Sequence, residues 1–121
     1  MEKSHRKTVM VIEDDPDMLY MLEKALNHAG YSVIKHQAGA DIVSGGLLTP
    51  DLYILDKNLP TIDGIAICKF LKVHKETKSI PIIMISGYPV GRKAKEVGVT
   101  VFIPKPFNLN LLLEAVEKCV N

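Results

Sequence analysis

The feature that most restricts the fold of this chain is an alternation between short, continuous apolar runs and stretches with helical spacing. Thr8-Val9-Met10-Val11-Ile12 has the pattern of a strand buried on both faces. Asp17 to Ala29 follows, with Met18, Leu22, Ala25, Leu26 and Ala29 at helical spacing, and Gly30 stands where a left-handed C-terminal cap is needed. Ser32 to Gln37 reads as a weaker strand centred on Val33 and Ile34, and Ala40 to Ser44 as a short helix ended by Gly45-Gly46. Leu52 to Leu55 is a third strand, and Asp63 to His74 a mostly apolar helix. Ile80 to Ile85 is the strongest apolar run, followed by a short helical stretch over Val90 to Val97 and by Gly98. Val101 to Ile103 is a last strand, and Leu109 to Cys119 a closing amphipathic helix with Asn108 as its N-cap.

Five strands alternating with five helices predict an α/β fold, a parallel sheet covered by helices on both faces. Right-handed crossovers restrict it to a doubly wound, flavodoxin-like topology with strand order 2-1-3-4-5. A length of 121 residues suits one core, so residues 1–121 are expected to form a single domain with its core over about 7–120. Fifteen basic residues against fourteen acidic ones leave a formal charge of +1, with no bulk attraction for nucleic acid or anionic membrane. No apolar run approaches the roughly 20 residues a membrane span needs, and the polar start Met1 to Lys7 does not resemble a signal peptide. Cys68 and Cys119 lack CxxC spacing and lie in apolar helical contexts, which favours reduced core thiols of a cytoplasmic protein over a structural disulfide.

In such sheets, ligands bind beyond the carboxyl ends of the strands. The first strand ends in Glu13-Asp14-Asp15-Pro16, the third in Asp56-Lys57-Asn58-Leu59-Pro60, the fourth in Ser86-Gly87 and the fifth in Pro104-Lys105-Pro106-Phe107. Taken singly these are ordinary residues: Asp15 and Asp17 suit a helix N-terminus, Asp56 a turn, Ser86 a loop hydroxyl and Lys105 a solvated surface. Their joint placement brings carboxylates, a hydroxyl and an ammonium to one edge. Crowded carboxylates call for a hard cation such as Mg²⁺, and the whole set suits phosphoryl transfer to a carboxylate.

These segments resemble the receiver domain of bacterial response regulators. VMVIEDDP (Val9 to Pro16) is similar to the family's acidic first loop, and DLYILDKNLPTIDG (Asp51 to Gly64) to its phosphoacceptor strand and loop. PIIMISG (Pro81 to Gly87) is similar to the strand bearing its Ser or Thr, and FIPKPF (Phe102 to Phe107) to the segment with its lysine. The resemblance implies that Asp56 is phosphorylated, and that Mg²⁺ is bound by Asp14, the Asp56 side chain and the main-chain carbonyl of Asn58. Glu13 would act on the ion through water, leaving Asp15 outside the pocket. Ser86 would bind a phosphoryl oxygen, and Lys105 would pair with Asp56 or its phosphate. Phe102 takes the aromatic switch position, Asn58 and Tyr88 positions that influence phosphoryl loss, and Lys105–Pro106 the position of a cis peptide.

The resemblance also implies a signalling phosphoacceptor and not an enzyme in the ordinary sense. Its donor would be a phosphohistidine on a sensor histidine kinase or phosphotransfer protein. Its readout would be the surface around the last two strands, facing a partner or output domain, with room for a phosphorylation-dependent dimer. Two features depart from the family pattern: Glu13 replaces the commoner aspartate, and the stretch from Ser86 to Lys105 is short by about one helical turn, which leaves the fourth helix open. Other classes fit less well. An aspartate-nucleophile phosphatase of the haloacid dehalogenase type wants an acid where Asn58 stands. A pseudo-receiver would not need the intact set of Asp56, Asp14, Ser86 and Lys105, and no P-loop or dinucleotide glycine pattern occurs.

Overall fold

A computed structural model describes residues 6–44, 49–60 and 62–121. Strands β1 (Thr8–Ile12), β2 (Ser32–His36), β3 (Leu52–Asp56), β4 (Ile82–Ser86) and β5 (Val101–Pro104) alternate with helices α1 (Pro16–His28), α2 (Ala40–Ser44), α3 (Gly64–Val73), α4 (Gly91–Glu96) and α5 (Leu109–Val120). All four strand pairings are parallel, in the order β2-β1-β3-β4-β5. The topology is the one that the alternation predicts. The expected end of α2 at Gly45-Gly46 lies outside the described residues.

Burial explains the unequal strength of the apolar runs. Every residue of β3 and β4 is buried, whereas β2 and β5 stand at the sheet's edges and are only partly covered. Successive side chains take opposite faces. Met10, Ile12, Tyr53, Leu55, Ile82 and Met84 pack with residues of α2, α3 and α4 on one face. Val9, Val11, Leu52, Ile54, Ile83 and Ile85 pack with Leu19, Leu22 and Leu26 of α1 and Leu112 and Val116 of α5 on the other. Each fully buried aliphatic side chain contributes roughly 1.5–3 kcal/mol, so these two layers dominate stability.

β4 begins later than the apolar run suggests. Pro81 cannot donate to a sheet, and the Ile80 N–H is used in a turn to the Thr77 carbonyl at 3.0 Å. The buried Thr77 hydroxyl in turn donates to the Leu71 carbonyl near the end of α3, at 2.6 Å. The fourth helix, left open by the shortened sequence, is present and six residues long. Gly98, at φ +101°, closes it: its N–H reaches the Lys95 carbonyl at 3.1 Å and the Val99 N–H reaches Ala94 at 3.0 Å.

Three caps aim the helices that flank the strand ends. Asp15 accepts from the Asp17 N–H at 3.0 Å and starts α1, with Pro16 at the first helical position. Asp63 accepts from the Ile65 N–H at 2.8 Å and starts α3. Asn108 accepts from Asn110 and Leu111 at 2.8 and 3.2 Å and starts α5, as expected.

Gly64 sets how closely α3 approaches the end of β3. A Cβ there would stand 2.7 Å from the Asp56 carbonyl oxygen and 2.8 Å from Lys57 Cα, both backbone atoms. We therefore expect Gly64→Ala to destabilise the protein by about 1–3 kcal/mol, measured by urea unfolding. A wild-type unfolding midpoint would contradict this account of the contact.

Candidate functional site

The sheet register carries the strand ends to one edge. Ile12 pairs with Leu55, so Glu13 and Asp56 follow side by side, while Ile85 pairs with Asp56 and Ser86 with Pro104. Backbone bonds continue beyond the strands: the Glu13 N–H donates to the His36 carbonyl at 3.0 Å and the Lys57 N–H to Ile85 at 2.9 Å. The Lys105 N–H donates to the Ser86 carbonyl at 2.8 Å, and the Lys105–Pro106 bond is cis, as the resemblance implies.

Glu13, Asp14 and Asp56 each offer a carboxylate oxygen, all within 4.8 Å of one another. Glu13 and Asp56 are 2% and 5% exposed, whereas Asp14 opens to solvent. The Lys105 ammonium donates to Asp56 Oδ2 at 3.1 Å and stands 3.9 Å from Glu13 Oε1. The Asn58 N–H donates to Asp56 Oδ1 at 3.1 Å, so both oxygens of this carboxylate are held. Ser86 is fully buried, and its hydroxyl accepts from the Tyr88 N–H at 2.9 Å. That bond leaves the hydroxyl proton available to a further acceptor.

Glu13, Asp14, Asp56 and Lys105 thus gather in one cleft, with the Asn58 N–H on the Asp56 carboxylate and Ser86 buried at the end of the neighbouring β4. Asp15 is directed elsewhere, as the α1 cap, though its N–H donates to Glu13 Oε2 at 3.1 Å. Phe102 lies off the acid cluster, partly buried against the α3–α4 layer, with its ring over Gly91. Two contributors are not evident from sequence. Gly64 lets the helix close on Asp56, and Lys57 pairs with Asp63 at 3.0 Å, bracing the connection between β3 and α3. The only signal for either is the Asp63-Gly64 pair at the helix start.

Three carboxylates face one ammonium, so a fully ionised cleft carries excess negative charge. Burial is the main force raising the Glu13 carboxyl, to about 7. The Asp15 N–H and Lys105 oppose the shift, while Asp56 adds to it. Burial alone would lower the Lys105 ammonium pKa, but its hydrogen bond to Asp56 and the surrounding carboxylates outweigh this and raise it. The donor set fits Mg²⁺, a hard ion that takes oxygen ligands and retains waters.

Residues 9–117 match the response regulator receiver domain family. The chain is 28% identical over 120 residues to the DNA-binding transcriptional regulator NtrC of Escherichia coli K12, covering 96% of this chain and 25% of that protein. It thus spans about a quarter of that relative. It is 24% identical over 115 residues to the polar-differentiation response regulator DivK of Brucella ovis, covering 92% of this chain and 94% of the relative. Among solved structures, the chemotaxis response regulator CheY4 of Vibrio cholerae superposes with a TM-score of 0.87 at 25% identity, covering 95% of this chain and 99% of that one.

Because the folded chain holds a Glu13 proton up to about pH 7 and the unfolded chain releases it near 4.5, the metal-free protein loses stability as pH rises through that window. We expect Glu13→Gln to remove this slope in urea unfolding with EDTA present. Mg²⁺ competes with the same proton, so its affinity for the wild type should weaken below about pH 7. Parallel pH profiles for wild type and variant would contradict the assignment.

Proposed function

The chain belongs to the response regulator receiver domain family, and we propose that it accepts a phosphoryl group on Asp56 with Mg²⁺ held in the Glu13–Asp14–Asp56 cleft. A receiver domain is a signalling phosphoacceptor, and its family works with histidine kinases and output domains. The observation that carries the finer reading is the Asp56 carboxylate itself. It is buried, held through both oxygens, 3.1 Å from the Lys105 ammonium and within 4.8 Å of two further carboxylates.

In this reading an Asp56 oxygen attacks the phosphorus of a phosphohistidine on a sensor histidine kinase or phosphotransfer protein. An O–P bond forms, the P–N bond breaks with its electron pair going to nitrogen, and the imidazole leaves as the neutral base, keeping the proton on its other ring nitrogen or taking one from solvent. No general base is needed, because a carboxylate oxygen carries no proton that must be removed during the attack. Bound Mg²⁺ supplies charge neutralisation for the nucleophile and the transferred group. Asp14, Asp56 and the Asn58 carbonyl are its proposed direct ligands, with Glu13 acting through water. Lys105 offsets charge on the phosphoryl oxygens, and Ser86 donates its free hydroxyl proton to one of them.

Phosphorylation replaces the single charge of the Asp56 carboxylate with a phosphoryl group carrying about −1.5 to −2 and strong acceptor oxygens. Ser86 is drawn toward that charge, and the space it leaves admits Phe102 from its half-buried position on β5. The surface around β4 and β5 then reports the state to a partner or output domain, or to a second copy. Asn58 and Tyr88 would influence how long the phosphoryl group lasts, as their family positions imply. Among the described residues, no helix is long and apolar enough to cross a membrane; we place the protein in the cytoplasm, where histidine kinases present their phosphodonors. No direct nucleic-acid contact is proposed.

Intact-mass analysis after incubation with acetyl phosphate tests this reading. We expect one phosphoryl adduct that requires Mg²⁺ and disappears in Asp56→Asn. Ser86→Ala should still form the adduct while losing the phosphorylation-dependent NMR shifts around Phe102. An adduct that persists in Asp56→Asn, or a folded wild type that stays unmodified while a known receiver reacts in parallel, would contradict it. Unaltered Phe102 shifts in Ser86→Ala would defeat the switch.

A further inference from the structure

A second cleft, of about 430 Å³, opens between α3 and the start of α4. Its floor is apolar, made by Ile65, Ala66 and Val90, and its rim carries Lys57, Lys69 and Lys93. The single acid on this lining, Asp63, is already 3.0 Å from Lys57 Nζ. Lys69 and Lys93 are exposed, and neither has an ion-pair partner among the described residues. On a chain whose whole formal charge is +1, two uncompensated ammonium groups therefore flank one apolar depression.

We propose that this cleft docks a short acidic segment of a partner protein, with one apolar side chain on the Ile65–Ala66–Val90 floor and carboxylates on either side meeting Lys69 and Lys93. Charge complementarity selects the sign of the occupant, and the floor selects a peptide over a free anion. An inorganic anion gains nothing from apolar contact and would meet only exposed, hydrated ammonium groups. A nucleic-acid backbone draws its affinity from many neutralised phosphates, and two free lysines supply few. The two lysines project from different helices, so the matching segment carries its charges on both sides of its anchor.

Lys57 links this cleft to the strand end bearing Asp56. Its side chain forms part of the rim, while its N–H donates to Ile85 at 2.9 Å and its carbonyl accepts from Gly64 at 2.8 Å. Docking itself does not depend on phosphate or metal at Asp56, so it is tested without either.

The probe is the peptide acetyl-Glu-Asp-Leu-Asp-Glu-amide, titrated into the full ¹⁵N-labelled chain without Mg²⁺ or phosphodonor. Saturable amide shifts should concentrate at Ala66, Lys69, Val90 and Lys93. Affinity should fall about tenfold in Lys69→Glu/Lys93→Glu and less in Lys69→Gln/Lys93→Gln, with both variants keeping the wild-type spectrum elsewhere. Replacing the peptide's leucine by glycine should weaken binding by a similar factor. The proposal is overturned if the shifts scatter over lysines outside the cleft, or if charge reversal leaves affinity unchanged. It is equally overturned if the glycine peptide binds as well as the leucine one, or if a single-stranded oligonucleotide saturates the same residues more tightly.

Discussion

The crowding of Glu13, Asp14 and Asp56 around a single ammonium is the interaction on which this structure turns. A parallel sheet buried on both faces offers only its strand ends to solvent, so chemistry must collect there. The same burial makes charge expensive, and two of the three carboxylates are almost wholly enclosed. Lys105 offsets part of the excess through its contact with Asp56 at 3.1 Å. The remainder is left to a proton on Glu13, whose carboxyl is pushed up to about 7, or to a dication. A site poised this way responds to any change of charge at Asp56, which is what a phosphoacceptor requires.

The rest of the fold holds these groups in place. Gly64 lets α3 close on the Asp56 backbone, and the Asn58 N–H orients the carboxylate. The Lys105 N–H ties the last strand's end to Ser86, so the ammonium and the hydroxyl are positioned together. Asp15 serves the helix and the pocket at once: its side chain caps α1 while its N–H holds Glu13.

Much of this was legible in the sequence because it depends on period and order. The alternating runs specify the topology, and the acid, hydroxyl and ammonium positions follow from lying at successive strand ends. What depends on three-dimensional approach was not legible. The apolar run from Ile80 crosses Pro81 without a change in hydrophobicity, and only hydrogen bonding separates turn from strand there. The protonation of Glu13 depends on burial that tertiary packing creates. The short segment before β5 looked deficient, yet Gly98 closes a six-residue helix within it. The Lys57–Asp63 pair has only the Asp63-Gly64 helix start as a signal, and the cationic cleft beside it joins residues of α3 and α4 that carry no local signature.

The proposed role of Asp56 as phosphoryl acceptor beside a bound cation is tested most directly by a crystal structure with Mg²⁺ and beryllofluoride. The expected result is beryllium bonded to an Asp56 carboxylate oxygen, fluorines within hydrogen-bond reach of Ser86 and Lys105, and Mg²⁺ ligated by Asp14 and Asp56. Beryllofluoride on another residue, or a folded protein whose Asp56 keeps the Lys105 contact and takes up neither group, would contradict it.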